Sequence, residues 1–194
     1  VAMRFFDFLW QGTTALVTLL IARRLLPAPL AALAAGLYLT AYYGMHFSNW
    51  TQPDGYLNLP MALSLYATIR AAESGRVWLW AAAAASLGLA TLIKVPFALF
   101  GQALMIAAVV VQPTGLSVVL GRLLALAVGV ALPLSLCALY FYSHGALQDL
   151  WQAQFVFAPA YVAQVHQMTD LAHVVGRMLN PVLVPLGIML MLAL

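Results

Sequence analysis

Lys94 is the residue whose type and setting most directly suggest chemistry. It closes an apolar run in Gly88-Leu-Ala-Thr-Leu-Ile-Lys94-Val-Pro96, with no acidic residue near it in sequence. An ionisable group at membrane depth is costly and marks a functional site by default. An ammonium there suits an anionic lipid phosphate; the structural alternative is that Lys94 snorkels to the headgroups from a helix end. Asp54, after Gln52-Pro53, opens a helix, where free N–H groups and the positive dipole end favour a carboxylate. Capping accounts for it, and binding a cation or orienting an acceptor hydroxyl is the functional alternative. His166, Asp170 and His173, spaced four and three apart, share one face of a helix and could hold a metal. The wet face of an interfacial helix explains the same three residues.

The elements that position these groups must lie in a membrane. A soluble domain is roughly 45–50% apolar and about 25% charged, whereas these 194 residues are 65% hydrophobic and 7% charged, with a mean hydropathy of +0.98. At about 20 residues per crossing this allows roughly six or seven spans. Charges and Pro/Gly clusters divide the runs near 8–22, 30–47, 55–69, 77–93, 96–111, 123–142 and 174–194. Backbone exposed to lipid must be hydrogen-bonded internally, so the spans are helices. The fold class is all-α: a polytopic integral membrane protein of about seven transmembrane helices. A net charge of +3, spread singly along the chain, offers no patch for a phosphate backbone, which excludes nucleic acid as a partner. One cysteine, Cys137, excludes an internal disulfide and a cysteine zinc cluster.

If the spans alternate, Arg23, Arg24, Arg70, Arg76 and Arg122 share one side, and Arg4, Lys94 and Arg177 the other. The bias makes the first side cytoplasmic. Asp7, Asp54, Asp149 and Asp170 are then outside, leaving Glu73 as the acidic residue within. The stretch 143–173 is a long outer loop whose Trp151, Phe155, Phe157 and Tyr161 suit the headgroup region. It is expected to hold a partly helical interfacial element, broken or kinked at Pro159. Gly44, Gly55, Gly88, Gly101 and the Ala81–Ala85 run are expected to permit close helix packing. With Val1 first and an apolar run at the end, the chain reads as an internal part of a longer protein.

Four stretches together resemble the polyprenyl-phosphate-dependent glycosyltransferases of the GT-C superfamily, the group of the protein O-mannosyltransferases and lipid A aminoarabinose transferases. Arg4 through Ala22-Arg23-Arg24-Leu25-Leu26 is similar to their early span and its Ala-Arg-Arg-Leu turn. Thr51-Gln-Pro-Asp-Gly-Tyr-Leu57 resembles their outer Pro-Asp helix start, and Gly88 to Lys94 resembles their Gly-Leu-Ala-x-Leu-Thr-Lys-Gly motif. Gly145-Ala-Leu-Gln-Asp149-Leu-Trp151 is similar to a later outer loop, and Asn180-Pro181 precedes a further span as in the family.

The resemblance implies a sugar donor carried on polyprenyl phosphate, membrane lipids as surroundings, and a hydroxyl acceptor in a lipid, glycan or protein. It implies an inverting transfer at the extracytoplasmic face, in which a carboxylate removes the acceptor proton. Positive charge from a lysine, arginine or divalent cation must meet the departing phosphate. By position Lys94 matches the family's lysine, with Arg4, Tyr56 and Asp149 as further substrate-binding candidates. The family's catalytic acid lies in a loop that the resemblance places before Val1, which leaves Asp54 as the candidate within the chain. Two departures stand out: Val95-Pro96 replaces the glycine after the lysine, and Ala158-Pro159 stands where aminoarabinose transferases have a Glu-His pair implicated in metal binding. The alanine-rich composition fits a bacterial inner membrane, without excluding other membranes that have an extracytoplasmic face. The rival readings are a transporter or flippase component, which should show midplane charge on broken helices, and a non-catalytic scaffold.

Overall fold

The computed structural model of the protein describes residues 2–44, 52–111, 115–157 and 160. The described residues are helical apart from short connections, and they fall into two compact units, 1–136 and 137–194. The first contains α1 (Ala2–Ala22), α2 (Ala28–Gly44), α3 (Pro53–Ser74), α4 (Val77–Ile93), α5 (Val95–Val111) and most of α6 (Leu116–Ser143). Six of the seven expected spans therefore coincide with helices, and the seventh, 174–194, lies outside the described residues. Length and apolarity alone qualify α1 and α6 as membrane crossings, while α4 and Gly101–Val110 are apolar but shorter. At 1.5 Å per residue the 28 residues of α6 reach about 42 Å, beyond the roughly 30 Å of a hydrocarbon core.

Helix boundaries follow from proline and glycine chemistry. Pro27 and Pro29 stop α1 and seed the first turn of α2. Pro53 occupies the start of α3 after an extended Gln52, and Gly75 ends it with φ 69° while its N–H bonds back to the Ala71 carbonyl at 2.9 Å. Lys94 is a one-residue extended link, φ −157°, between α4 and α5, ahead of the Val95-Pro96 step that opens the next helix. Such short links make consecutive helices antiparallel. Contacts join α1 to α2, α1 to α3, α3 to α4 and α4 to α5.

The core centres on α4, where small residues alternate with Trp80 and Leu87. Ala83, Ala84, Leu87 and Trp80 are buried together with Ala71 of α3, Met105 and Val109 of α5 and Leu126 of α6. Gly88 lies so close to Pro133 that a Cβ would overlap its ring and stand 2.8 Å from the Val130 carbonyl. At Gly129 a Cβ would overlap the Ala81 carbonyl and stand 2.7 Å from the Ala84 Cβ. Gly55 and Gly101 are similarly confined, as expected, whereas Gly44 has nothing within 4 Å. Leu116, Leu120, Leu124, Val128 and Leu132 leave an exposed apolar stripe on α6, the face a lipid phase would cover.

In the second unit the expected helical element is present as α7 (Leu147–Trp151) and a π-helical stretch over Gln152–Phe157. Gly145, with φ 69°, makes the turn that separates α7 from α6. Trp151 and Phe155 stack at 4.4 Å and, with Phe157, are well exposed, as an interfacial segment requires. Pro159 and the rest of the loop lie outside the described residues.

Gly129→Ala is expected to lower the unfolding free energy by about 1–3 kcal/mol, because the atoms it meets are backbone and a short side chain that cannot swing away. Gly121→Ala, with nothing within 4 Å, should be neutral or slightly stabilising through helix propensity. Thermal unfolding in detergent reads both, and equal Tm values would refute close α4–α6 packing.

Candidate functional site

Within an otherwise apolar α1, Asp7, Gln11 and Thr14 fall at i, i+4 and i+7 and are all buried, at 3%, 0% and 2% exposure. Residues at this spacing share one helix face, so α1 turns a polar stripe inward. Because α1 and α2 run antiparallel, the early part of α1 meets the late part of α2, where Tyr38 and Tyr42 sit one turn apart with their rings stacked at 6.5 Å. The early part of α3 supplies Gly55, Tyr56 and Asn58. Three helices thus deliver polar groups to one end of the bundle.

The groups pair in a continuous chain. Tyr42 donates its hydroxyl to Asp7 Oδ1 at 2.8 Å, and Gln11 Nε2 donates to the Gly55 carbonyl at 3.1 Å and more loosely to Asp7 at 3.5 Å. The Tyr38 hydroxyl donates to Gln11 Oε1 and accepts from Asn58 Nδ2 at 3.0 Å. Trp10 Nε1 donates to the Tyr56 carbonyl at 3.1 Å, and the Phe6, Trp10 and Tyr56 rings lie 5.5–5.8 Å apart around that bond. Burying such groups without partners costs roughly 1–3 kcal/mol each, so the sequence can place them in a membrane helix only with the others present.

Lys94 lies at the same end. The Leu57–Ala90 cluster, with Met61 and Ile93 packed on it, holds the beginning of α3 against the end of α4, and Lys94 follows Ile93 directly, half-buried. Arg4 is exposed, one turn before Asp7. Asp54 is the second residue of α3, and Gln52 at the cap makes no side-chain capping bond. The buried Tyr56 hydroxyl has no hydrogen-bond partner among the described residues. Asp149 is exposed on α7, in the second unit. His166, Asp170 and His173 lie outside the described residues. Among the described residues no three His, Cys, Asp or Glu side chains cluster as metal ligands.

The opposite end of the bundle is basic. Arg24, just after α1, bonds Glu73 near the end of α3 at 2.6 Å, with Arg70 3.8 Å from the same carboxylate. Arg122 is buried near the start of α6, its guanidinium 5.6 Å from the centre of the Trp80 ring, a cation–π distance. From Asp7 to Arg24 the helical rise is about 25 Å. Carboxylates other than Glu73 and the basic cluster are therefore separated along α1 and α3 by most of a bilayer core.

The apolar pattern puts Asp7 outside a first span at 8–22 and does not single out Gln11, Tyr38, Tyr42 or Asn58. The helix instead begins at Ala2 and takes Asp7 into its buried face. The Asp7-Gln11-Thr14 spacing was the available signal.

The sequence profile of the dolichyl-phosphate-mannose-protein mannosyltransferase family matches residues 1–141. The chain belongs to that family. Membership agrees with the GT-C resemblance and places the chain among integral membrane glycosyltransferases of the mannosyltransferase type. Three of the resembling stretches, Arg4–Leu26, Thr51–Leu57 and Gly88–Lys94, fall inside the match, as does the whole buried network; Gly145–Trp151 and Asn180-Pro181 lie beyond it. No curated protein and no solved structure matches the chain.

In this mannosyltransferase-family chain Gln11 bridges all three helices. Gln11→Leu should lower the unfolding free energy by about 1–3 kcal/mol by leaving the Tyr38 hydroxyl proton without its acceptor and removing the cross-helix bond to the Gly55 carbonyl. Thr13→Leu, on the exposed side of α1, should change it by under about 0.5 kcal/mol. Chemical denaturation in micelles compares the two.

Proposed function

We propose that the protein transfers a sugar, mannose or a close relative, from a polyprenyl-phosphate carrier to a hydroxyl acceptor at the extracytoplasmic face of a bacterial inner membrane. The observation that carries this reading is the segregation of groups along the bundle. Asp7, the Asp54 turn and Lys94 share one end, and Arg24, Arg70, Glu73 and Arg122 share the other. The positive-inside bias assigns the arginine-rich end to the cytoplasm, so the Lys94 end faces out. A polyprenyl phosphate keeps its chain in the bilayer and its phosphate at the surface, which is the depth of a half-buried ammonium at a helix end.

The reaction that fits is a single displacement. A carboxylate takes the proton of the acceptor hydroxyl, the acceptor oxygen forms a bond to the anomeric carbon, and the bond from that carbon to the phosphate oxygen breaks. Polyprenyl phosphate leaves with the electron pair, and attack opposite the leaving group inverts the anomeric centre. Lys94 stabilises negative charge developing on the departing phosphate. Within this chain Asp54 is the carboxylate proposed for the acceptor side, with Arg4 and Tyr56 at the same end of the first unit.

Lys94→Met in the full-length protein is expected to lower kcat/KM for a polyprenyl-phosphate sugar by about ten- to hundredfold, the loss of one charge-assisted contact, with unchanged Tm. Transfer is read as radiolabelled sugar passing from lipid donor to acceptor. A Lys94→Met protein with wild-type kcat/KM would falsify the assignment of this end to the donor phosphate.

A further inference from the structure

We infer that Asp7 and Tyr42 are positioning residues for the reaction proposed above: their hydrogen bond locks the first turn of α3, which carries Asp54, in its working place. Neither residue is assigned to the reacting atoms. The inference rests on the glycosyltransferase reading for its effect on rate, and on geometry alone for its effect on the turn.

The first turn of α3 is held by three side chains from two other helices. Gln11 bonds the Gly55 carbonyl and Trp10 bonds the Tyr56 carbonyl, both from α1. From α2, the Tyr42 side chain lies directly over Gly55, where a Cβ would come within 2.7 Å of its hydroxyl and 3.1 Å of the ring. That close approach is available only to glycine, and it seats the Tyr42 hydroxyl on Asp7 Oδ1 at 2.8 Å. The Asp7 carboxylate sets the ring of Tyr42, the ring bears on Gly55, and Gly55 follows Asp54 in the chain. The carbonyls so held belong to the two residues after Asp54.

Ordinary packing does not require this arrangement. The α3–α4 contact is made by apolar and small side chains, and an aliphatic residue at position 7 or 42 would bury as well without desolvating a carboxylate, which is costly unless it is fully hydrogen-bonded. A buried polar junction at one end of the bundle contributes a fixed direction and a fixed distance. Reacting groups need that, since small misplacement in an active site lowers rate steeply.

The test uses the full-length protein in lipid nanodiscs and four variants: Asp7→Asn, Asp7→Ala, Tyr42→Phe and, as a control on the same helix, Thr40→Ala. Two readouts are taken, hydrogen exchange of the peptide covering residues 53–60 and steady-state transfer from polyprenyl-phosphate mannose. Asn at position 7 keeps a carbonyl acceptor for Tyr42, so the positioning role predicts near-native exchange and a kcat within about threefold of wild type. Asp7→Ala and Tyr42→Phe should speed exchange in 53–60 by tenfold or more while the peptide over 77–93 is unchanged, and should lower kcat about tenfold with little change in KM for the donor. Rescue by Asn separates positioning from catalysis. Loss of transfer in Asp7→Asn equal to that in Asp7→Ala, with normal exchange, would overturn the inference by making Asp7 a catalytic carboxylate, and would leave the glycosyltransferase reading intact. Unchanged exchange in Tyr42→Phe would also overturn it. If the wild-type protein transfers no sugar while exchange responds as stated, the functional reading fails and the structural lock stands.

Discussion

The hydrogen bond from Tyr42 to Asp7 is the constraint around which the Lys94 end of this bundle is arranged. A carboxylate in a membrane helix must find donors inside the protein, since the hydrocarbon offers none. Asp7 finds them on α2 and on its own helix, and Gln11 carries the chain of bonds on to α3. Once that junction forms, the rotation of α1 about its axis is fixed, the approach of α2 is fixed by two tyrosines one turn apart, and the first turn of α3 is fixed through Gly55. Apolar packing would tolerate sliding by part of a turn; a directional bond buried at 3% exposure would not.

The rest of the bundle supports that end by close approach of small residues. Alanines of α4 and glycines at 88 and 129 bring backbones together where no hydrophobic drive exists between helices in lipid. At the far end the Arg24–Glu73 pair and the Arg122–Trp80 contact hold charge where the positive-inside rule places the cytoplasm. The pair is partly exposed, at 33% and 42%, and such surface bridges contribute little to stability. Its significance is segregation, which leaves Lys94 and the arginine cluster at opposite ends of the bundle.

The helices were legible in the sequence because apolar runs and their breakers are local. Pro53 at the start of α3, Gly75 after it and Val95-Pro96 beyond Lys94 all act within a few residues, and the helices begin and end where these residues require. The α1 boundary is not local in this way, because a charge does not end this helix. Asp7 is six residues inside the helix, tolerated by partners 35 and 4 positions away. Tyr38, Tyr42 and Asn58 read as ordinary aromatic and polar residues of spans, since nothing local distinguishes a tyrosine that bonds a distant carboxylate. Lys94 is visible in the sequence as an ammonium closing an apolar run. Its shared end with the Asp7 junction came only from helix order and from the Leu57–Ala90 contact.

The most direct measurement is an experimental structure of the full-length protein in a nanodisc supplemented with a polyprenyl phosphate. Phosphate density within hydrogen-bonding reach of Lys94, at the end that holds the Asp7–Tyr42 junction, is the predicted result. Phosphate bound instead among Arg24, Arg70 and Arg122 would contradict the assignment of donor, of site and of membrane face together.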